Sequence, residues 1–168
     1  SDAIGQYCID KLQEAKNKNS TDIIGRDKEI REICEIISRM NKSNVIISGD
    51  PGVGKTALLD GFAAATANGK VPQHLKNIAI YQLDNGALTA GAAYKGEVED
   101  RLRKVIMQLS TLEKPILFID EIHTLIDKNN ASGGASGVLK GELAKGVLTV
   151  IATTTTDEYR KSIEKDPT

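Results

Sequence analysis

The run Gly49-Asp50-Pro51-Gly52-Val53-Gly54-Lys55-Thr56 decides the fold. Glycines at 49 and 54 bracket four residues, and a Lys-Thr pair follows, which is the spacing of a phosphate-cradling loop. Such a loop needs glycine because backbone N–H groups converge on phosphate oxygens in conformations that a side chain obstructs. Upstream, Asn44-Val45-Ile46-Ile47-Ser48 is a β-branched run that reads as a strand. Downstream, Lys55 to Asn68 reads as a helix whose N-terminus adds positive potential to the loop. Strand, loop and helix together assign Asp50, Pro51, Gly52, Val53, Gly54, Lys55, Thr56 and Ala57 to a bound nucleotide, ATP. Lys55 is expected to neutralise the β and γ phosphates, and the Thr56 hydroxyl to reach Mg²⁺, a cation that selects oxygen ligands.

Outward from this unit the alternation continues. A strand is predicted near Ile78 to Leu83, a helix from Gly96 to Leu112, and a strand through Ile116-Leu117-Phe118-Ile119-Asp120. The Gly, Ala and Ser-rich stretch Asn129 to Gly137 reads as a mobile surface loop before a short helix, and Val147 to Ala152 as a fourth strand. Continuous apolar strands alternating with helices indicate a parallel sheet covered on both faces, a three-layer αβα arrangement in the α/β class. Ahead of it, Ile4, Cys8, Leu12 and Ala15 fall at helical spacing, which predicts one amphipathic helix over 4–15, followed by a polar linker over 16–20. A second helix is predicted over 28–40, with Ile30, Ile33, Cys34, Ile37 and Met40 on one stripe and Asp27 near its start. The chain therefore divides into an N-terminal helix and linker, 1–20, and a nucleotide-binding core, 21–168. It stops at Lys165-Asp166-Pro167-Thr168 without a terminating pattern and reads as an excised piece.

Two carboxylates, Asp120 and Glu121, close the third strand, at the edge where open α/β sheets bind their ligands. Asp120 is expected to orient the Mg²⁺ shell and Glu121 to polarise the attacking water, so that hydrolysis follows binding. The run Thr153-Thr154-Thr155-Thr156 ends the fourth strand, and one of these hydroxyls is placed to sense the γ-phosphate. Thr also simply favours strands, which explains a residue or two more readily than four. Tyr94, flanked by small residues, reads equally as an exposed aromatic handle and as an ordinary surface tyrosine. His123 is expected to pack rather than to bind metal, since Mg²⁺ disfavours nitrogen, and His74 to be solvated. Cys8 and Cys34 sit among apolar residues with no zinc spacing, so buried reduced thiols are expected.

Bulk properties exclude other classes. The balance of 40% hydrophobic to 27% charged residues is that of a globular domain rather than a disordered or membrane-spanning one. Basic residues number 22 against 23 acidic, for a net charge of -1, and they are dispersed, so neither nucleic acid nor an anionic membrane is an expected partner. With no apolar run of spanning length and no leader pattern, a cytoplasmic location is the default.

Ile24-Gly25-Arg26-Asp27, Gly61-Phe62-Ala63, Gly91-Ala92-Ala93-Tyr94-Lys95-Gly96-Glu97, Asp120-Glu121-Ile122-His123-Thr124 and Asp157-Glu158-Tyr159-Arg160 stand in this order around the phosphate loop. Together they resemble the AAA+ ATPases, and within them the first ATPase domain of the Clp unfoldases and disaggregases, over nearly the whole chain. Gln6-Tyr7, Gly61-Phe62-Ala63 and Ala152-Thr153-Thr154 look closest to the ClpV type, which recycles type VI secretion sheaths, with the ClpB type next. The resemblance implies a homo-hexameric ring that hydrolyses ATP and pulls a polypeptide substrate through its pore. It implies that Tyr94 grips the substrate, that Ile23 and Ile24 lie against adenine, and that Thr155 is the first sensor. It implies a four-stranded sheet in the order 1-4-3-2. The family's last core strand, arginine fingers and small helical domain would lie beyond residue 168. The competing readings are an ATP-gated switch or loader acting on nucleic acid and a nucleotide-binding scaffold that does not turn over. A GTPase is disfavoured because Asn41-Lys42-Ser43-Asn44 precedes the loop and ends in Asn.

Overall fold

A computed structural model describes residues 2–18, 27–39, 45–49, 54–125, 134–145 and 148–155. In chain order the elements are α1 (Ala3–Tyr7), β1 (Cys8–Asp10), α2 (Lys11–Lys18), α3 (Asp27–Arg39), β2 (Val45–Gly49) and α4 (Lys55–Ala67). They continue with β3 (Ala79–Leu83), α5 (Asn85–Thr89), α6 (Glu97–Leu109), β4 (Pro115–Ile119), α7 (Gly134–Ala144) and β5 (Thr149–Thr155).

The sheet runs β1-β3-β4-β5-β2. Four strands, β2, β5, β4 and β3, are mutually parallel and follow the expected order, with the loop-bearing strand β2 at one edge. β4 is buried at every position, Pro115 through Ile119, because helices cover both of its faces. Alternation along the strands sorts the side chains into two cores. Leu117, Ile119, Val150 and Ala152 meet Leu88 of α5, Leu102, Val105, Ile106 and Leu109 of α6, and Val138 and Leu139 of α7. The α6 residues recur at helical spacing, which is why that helix lies along the sheet. On the opposite face Ile80, Ile116, Phe118 and Ile151 meet Ile33 and Cys34 of α3 and Leu58, Leu59 and Phe62 of α4. The rings of Phe62 and Phe118 pack tilted, with centroids 6.2 Å apart.

The N-terminal segment corrects the single helix predicted over 4–15. Cys8, Ile9 and Asp10 form β1, antiparallel to β3 in the register Cys8 with Leu83, Ile9 with Gln82 and Asp10 with Tyr81. The sheet thus has five strands rather than about four, and the extra one comes from a segment read as helix and linker. The break is local chemistry. The Asp10 carboxylate accepts the Gln13 backbone N–H at 3.1 Å, an N-cap that starts a new helix at Lys11 and stops any earlier one. The order Asp10-x-x-Gln13 was the available signal.

Smaller corrections concern the C-terminal half. Gly134 to Gly137, read as the end of a loop, form the first turn of α7, while 129–133 lie outside the described residues. The fourth strand spans Thr149–Thr155 rather than 147–152, because the β-branched threonines prolong it beside β2. His74 is more than solvated: its Nε2 lies 2.6 Å from Ser38 Oγ. Cys34 is buried and Cys8 half-buried, both free thiols. Burial pushes the Cys8 thiol up to about 12, with Asp84 adding to the effect, so this sulfur stays protonated and inert.

Candidate functional site

The site grows from three element ends that the parallel topology brings to one edge of the sheet: the start of α4, the end of β4 and the end of β5. Asp50, Pro51, Gly52 and Val53 of the loop lie outside the described residues, as do Ile23 and Ile24. Gly54 closes the loop with φ +79°, a left-handed conformation that glycine adopts without steric cost. It stands as the N-cap of α4 and brings no side-chain cap, so the first amides of the helix remain available to an anion. Lys55 opens that helix; its side chain lies outside the described residues. Ala57 is exposed and lines a cleft of about 200 Å³ between α2 and α4, together with Lys11, Glu14 and Asp60.

Thr56 and Asp120, far apart in sequence, are in direct contact. Thr56 Oγ1 donates to Asp120 Oδ2 at 2.9 Å. The other carboxylate oxygen, Oδ1, accepts a hydrogen bond from Thr153 Oγ1. Thr153 is fully buried, and its hydroxyl also accepts the Glu121 N–H at 2.8 Å. One buried threonine therefore joins the two acidic residues to β5. Glu121 itself is exposed and holds φ +50°, uncommon for a residue with a side chain. Its carbonyl accepts the N–H of Thr124 at 2.9 Å and the Thr124 hydroxyl at 2.8 Å, closing the 3-10 turn Ile122–Leu125. Asn85, at the start of α5, donates Nδ2 to the Asp120 carbonyl at 3.0 Å and to Thr124 Oγ1 at 3.1 Å.

Thr155 ends β5 in register with Gly49, the first residue of the phosphate loop; its side chain lies outside the described residues, and so does Thr156. Thr154 is buried, and its Oγ1 lies 3.1 Å from His123 Nδ1. His123 is thus a packed, hydrogen-bonded residue, as expected. Among the described residues no group of three or more His, Cys, Asp or Glu side chains could hold a metal ion. What the sequence reading missed are the particular partners of Asp120 and Glu121. Thr153 was legible only as one member of a threonine run. Thr124 was read only as the end of the acidic motif, and Asn85 carried no local signal, since its contacts cross from one βα connection to another.

Tyr94 is exposed to 59%, one of two large hydrophobic side chains so open among the described residues. It sits between Gly91 (φ +65°) and Gly96 (φ +92°), both in the left-handed region that glycine adopts without steric cost. Glu97 holds the segment's base: its Oε1 accepts the Ala93 N–H at 2.9 Å and its Oε2 pairs with Arg101. The Ala93 N–H and then the Arg101 guanidinium hold the Glu97 carboxyl below the usual carboxylate range. Arg101 also donates to the carbonyls of Leu88 at 2.8 Å and Ala90 at 2.7 Å. Its guanidinium lies 5.3 Å from the centre of the Tyr7 ring, which ties the N-terminal segment to the base of the Tyr94 loop.

Comparison with known proteins agrees with this geometry. The chain is 47% identical over 167 residues to the chaperone protein ClpB of Porphyromonas gingivalis, covering 98% of this chain and 19% of that protein. It is 46% identical over 169 residues to the AAA+ ATPase ClpV1 of Pseudomonas aeruginosa, covering 99% and 19% respectively. Identity to the ClpB and ClpV types is thus nearly equal. Among solved structures, the Hsp104:casein complex of S. cerevisiae in its extended conformation superposes with a TM-score of 0.84 at 39% identity, covering 98% of this chain and 28% of that one. The S. cerevisiae Hsp104-ADP complex superposes with a TM-score of 0.83, also at 39% identity, covering 97% and 23%. The chain spans about a fifth of the length of the curated relatives it matches. Residues 45–165, from the loop-bearing strand through the acidic pair and the threonine run, match the family described as "ATPase family associated with various cellular activities (AAA)", and the chain belongs to that family.

Proposed function

We propose that this chain is the ATP-binding and ATP-hydrolysing core of a ring-forming protein unfoldase or disaggregase of the Clp type. The observation that carries the reading is the continuous chain of contacts Thr56–Asp120–Thr153–Glu121, which ties the helix opened by the phosphate loop to both acidic residues. A threonine hydroxyl beside a carboxylate is the hard-oxygen donor set that Mg²⁺ accepts, the remainder of its shell being water and phosphate. Thr56 and Asp120 would hold it there. The bound ion would supply charge neutralisation across the β and γ phosphates.

The chain's own residues divide the remaining work. The amides at the start of α4 and the Lys55 ammonium take the phosphates, and Ile23 and Ile24 take the adenine face. Glu121 accepts a proton from the attacking water as its oxygen bonds to the γ-phosphorus and the bond to the β-bridging oxygen breaks. Thr155, beside Gly49, senses the γ-phosphate. Tyr94, exposed on the segment between Gly91 and Gly96, contacts a polypeptide substrate as a rigid aromatic. The parent assembly is a homo-hexamer of the cytoplasm, with a protein rather than nucleic acid or membrane as its target. Recycling of secretion sheaths, as in the ClpV type, is one such task. Residues 21–168 form the nucleotide-binding core, with the arginine fingers and helical domain supplied outside it.

The test uses the full-length protein. Glu121→Gln is expected to bind ATP normally and to lose hydrolysis by roughly 10²- to 10⁴-fold. Tyr94→Ala is expected to hydrolyse ATP but to fail to unfold a tagged polypeptide. Equal turnover by wild type and Glu121→Gln would instead make the chain a nucleotide-binding scaffold. DNA-stimulated turnover without polypeptide stimulation would make it a nucleic-acid switch.

A further inference from the structure

Glu121 adopts φ +50°, and three other residues hold the peptide groups on either side of it. Its N–H is taken by Thr153 Oγ1 at 2.8 Å. Its carbonyl is taken by the backbone and hydroxyl of Thr124. The preceding carbonyl, that of Asp120, is taken by Asn85 Nδ2 at 3.0 Å, and the same nitrogen donates to Thr124 Oγ1 at 3.1 Å. The orientation of the Asn85 amide follows from chemistry, because a backbone carbonyl only accepts and the NH₂ half must therefore face it. Its Oδ1 is buried and has no hydrogen-bond partner among the described residues. Only the donor half of this side chain is in use.

We infer that Asn85 is a positioning residue for hydrolysis: by donating at once to the Asp120 carbonyl and to Thr124, it locks the Asp120–Glu121 peptide in the left-handed arrangement that directs the Glu121 carboxylate. The inference rests on reading Glu121 as the group that activates water. It assigns a role to a residue outside the phosphate loop, the acidic pair and the threonine run. A left-handed, side-chain-bearing residue reverts to an extended or right-handed conformation when its restraints are removed. Such a reversion swings the carboxylate while leaving Asp120, which is held independently by Thr56 and Thr153, in place. Loss of Asn85 should therefore reach turnover and spare nucleotide affinity.

The experiment compares Asn85→Asp, which keeps the shape and removes both donors, with Asn85→Leu, which also removes the unpartnered oxygen, and with Thr124→Val. All are made in the full-length protein, with Glu121→Gln as control. Steady-state ATP hydrolysis, equilibrium binding of a fluorescent ATP analogue with Mg²⁺, and thermal unfolding are measured on each. The expected result is a kcat lowered by about 10- to 100-fold in both Asn85 variants, the scale of a misplaced catalytic group. Analogue binding is expected to be unchanged, and the unfolding midpoint of Asn85→Leu no lower than wild type. Combining Asn85→Leu with Glu121→Gln is expected to cost nothing beyond Glu121→Gln alone, because the two act through one group. Wild-type kcat in both Asn85 variants overturns the inference, and so does a kcat loss matched by equal losses of binding and stability. If Glu121→Gln is inactive while the Asn85 variants turn over normally, this inference alone falls; if Glu121→Gln turns over like wild type, the role of Glu121 falls and takes this one with it.

Discussion

Thr153 is a fully buried hydroxyl that donates to Asp120 and accepts from Glu121. Valine at this position keeps the shape but leaves the Glu121 N–H without its acceptor, at a cost of about 1–3 kcal/mol. For a domain of this size each kcal/mol lowers the melting temperature by about 2–4 °C. Thr153→Val is therefore expected to melt several degrees below wild type and to turn over more slowly, while Thr153→Ser, which keeps the hydroxyl, stays near wild type in both. Differential scanning calorimetry beside a coupled ATPase assay checks both halves. At this scale sequence was informative where chemistry dictates residue type. The expected oxygen donors Thr56 and Asp120, 64 residues apart, are in contact. Sequence was silent where geometry alone decides, as for Asn85, whose partners Asp120 and Thr124 lie 35 and 39 residues on.

The elements were legible to the extent that their apolar period was uninterrupted. Helices α3, α4 and α6 and strands β3 and β4 stand where the pattern put them, within a few residues. The N-terminal segment does not, because the spacing Ile4, Cys8, Leu12, Ala15 mimics one helix across a strand. Its second half, α2, is docked on α4 by the nearly buried Lys11, whose Nζ lies 2.7 Å from Asp60 Oδ1. Glu14 pairs with the same ammonium. Although burial opposes it, hydrogen bonding to Asp60 and then Glu14 leaves the Lys11 pKa raised, and the Lys11 hydrogen bond lowers that of Glu14. A raised Lys pKa contributes stability that is present below the unfolded value and lost as pH rises through the folded one. A lowered Glu pKa contributes stability that is present above the unfolded value and lost as pH falls through the folded one. The cluster thus stabilises fully between about pH 5 and pH 10. Lys11→Met leaves a carboxylate that is 42% exposed, so the expected loss is about 1–2 kcal/mol rather than that of a fully buried pair. Urea titrations at several pH values check it: the gap between wild type and Lys11→Met should be widest near neutrality and close at both extremes.

At the level of the whole molecule, the α/β architecture was legible because continuous apolar strands alternating with helices indicate a parallel sheet covered on both faces, and the order of the parallel strands came from the AAA+ resemblance. The antiparallel fifth strand was not, since nothing in three residues names a partner some 70 residues on. The AAA resemblance implies that a neighbouring subunit completes the site with an arginine, a contribution of about 10³- to 10⁵-fold in rate. The chain of 168 residues assayed alone is therefore expected to bind nucleotide weakly and to hydrolyse it at least about 10³-fold more slowly than the assembled full-length protein. Steady-state turnover of the two, side by side, measures it, and comparable rates would show the site to be complete within one chain. The edge strand β1 carries a practical consequence for anyone cutting this protein. The recognisable motifs begin near Asp27, and a cut made there would strip Cys8–Asp10 from Tyr81–Leu83. The bared N–H and C=O groups, beside apolar surface formerly covered by Ala3 and Tyr7, would offer a ready template for another chain. Trimming by motif would thus yield a protein prone to precipitate, whereas trimming by strand pairing, upstream of Ala3, would keep β3 paired and its apolar flank covered.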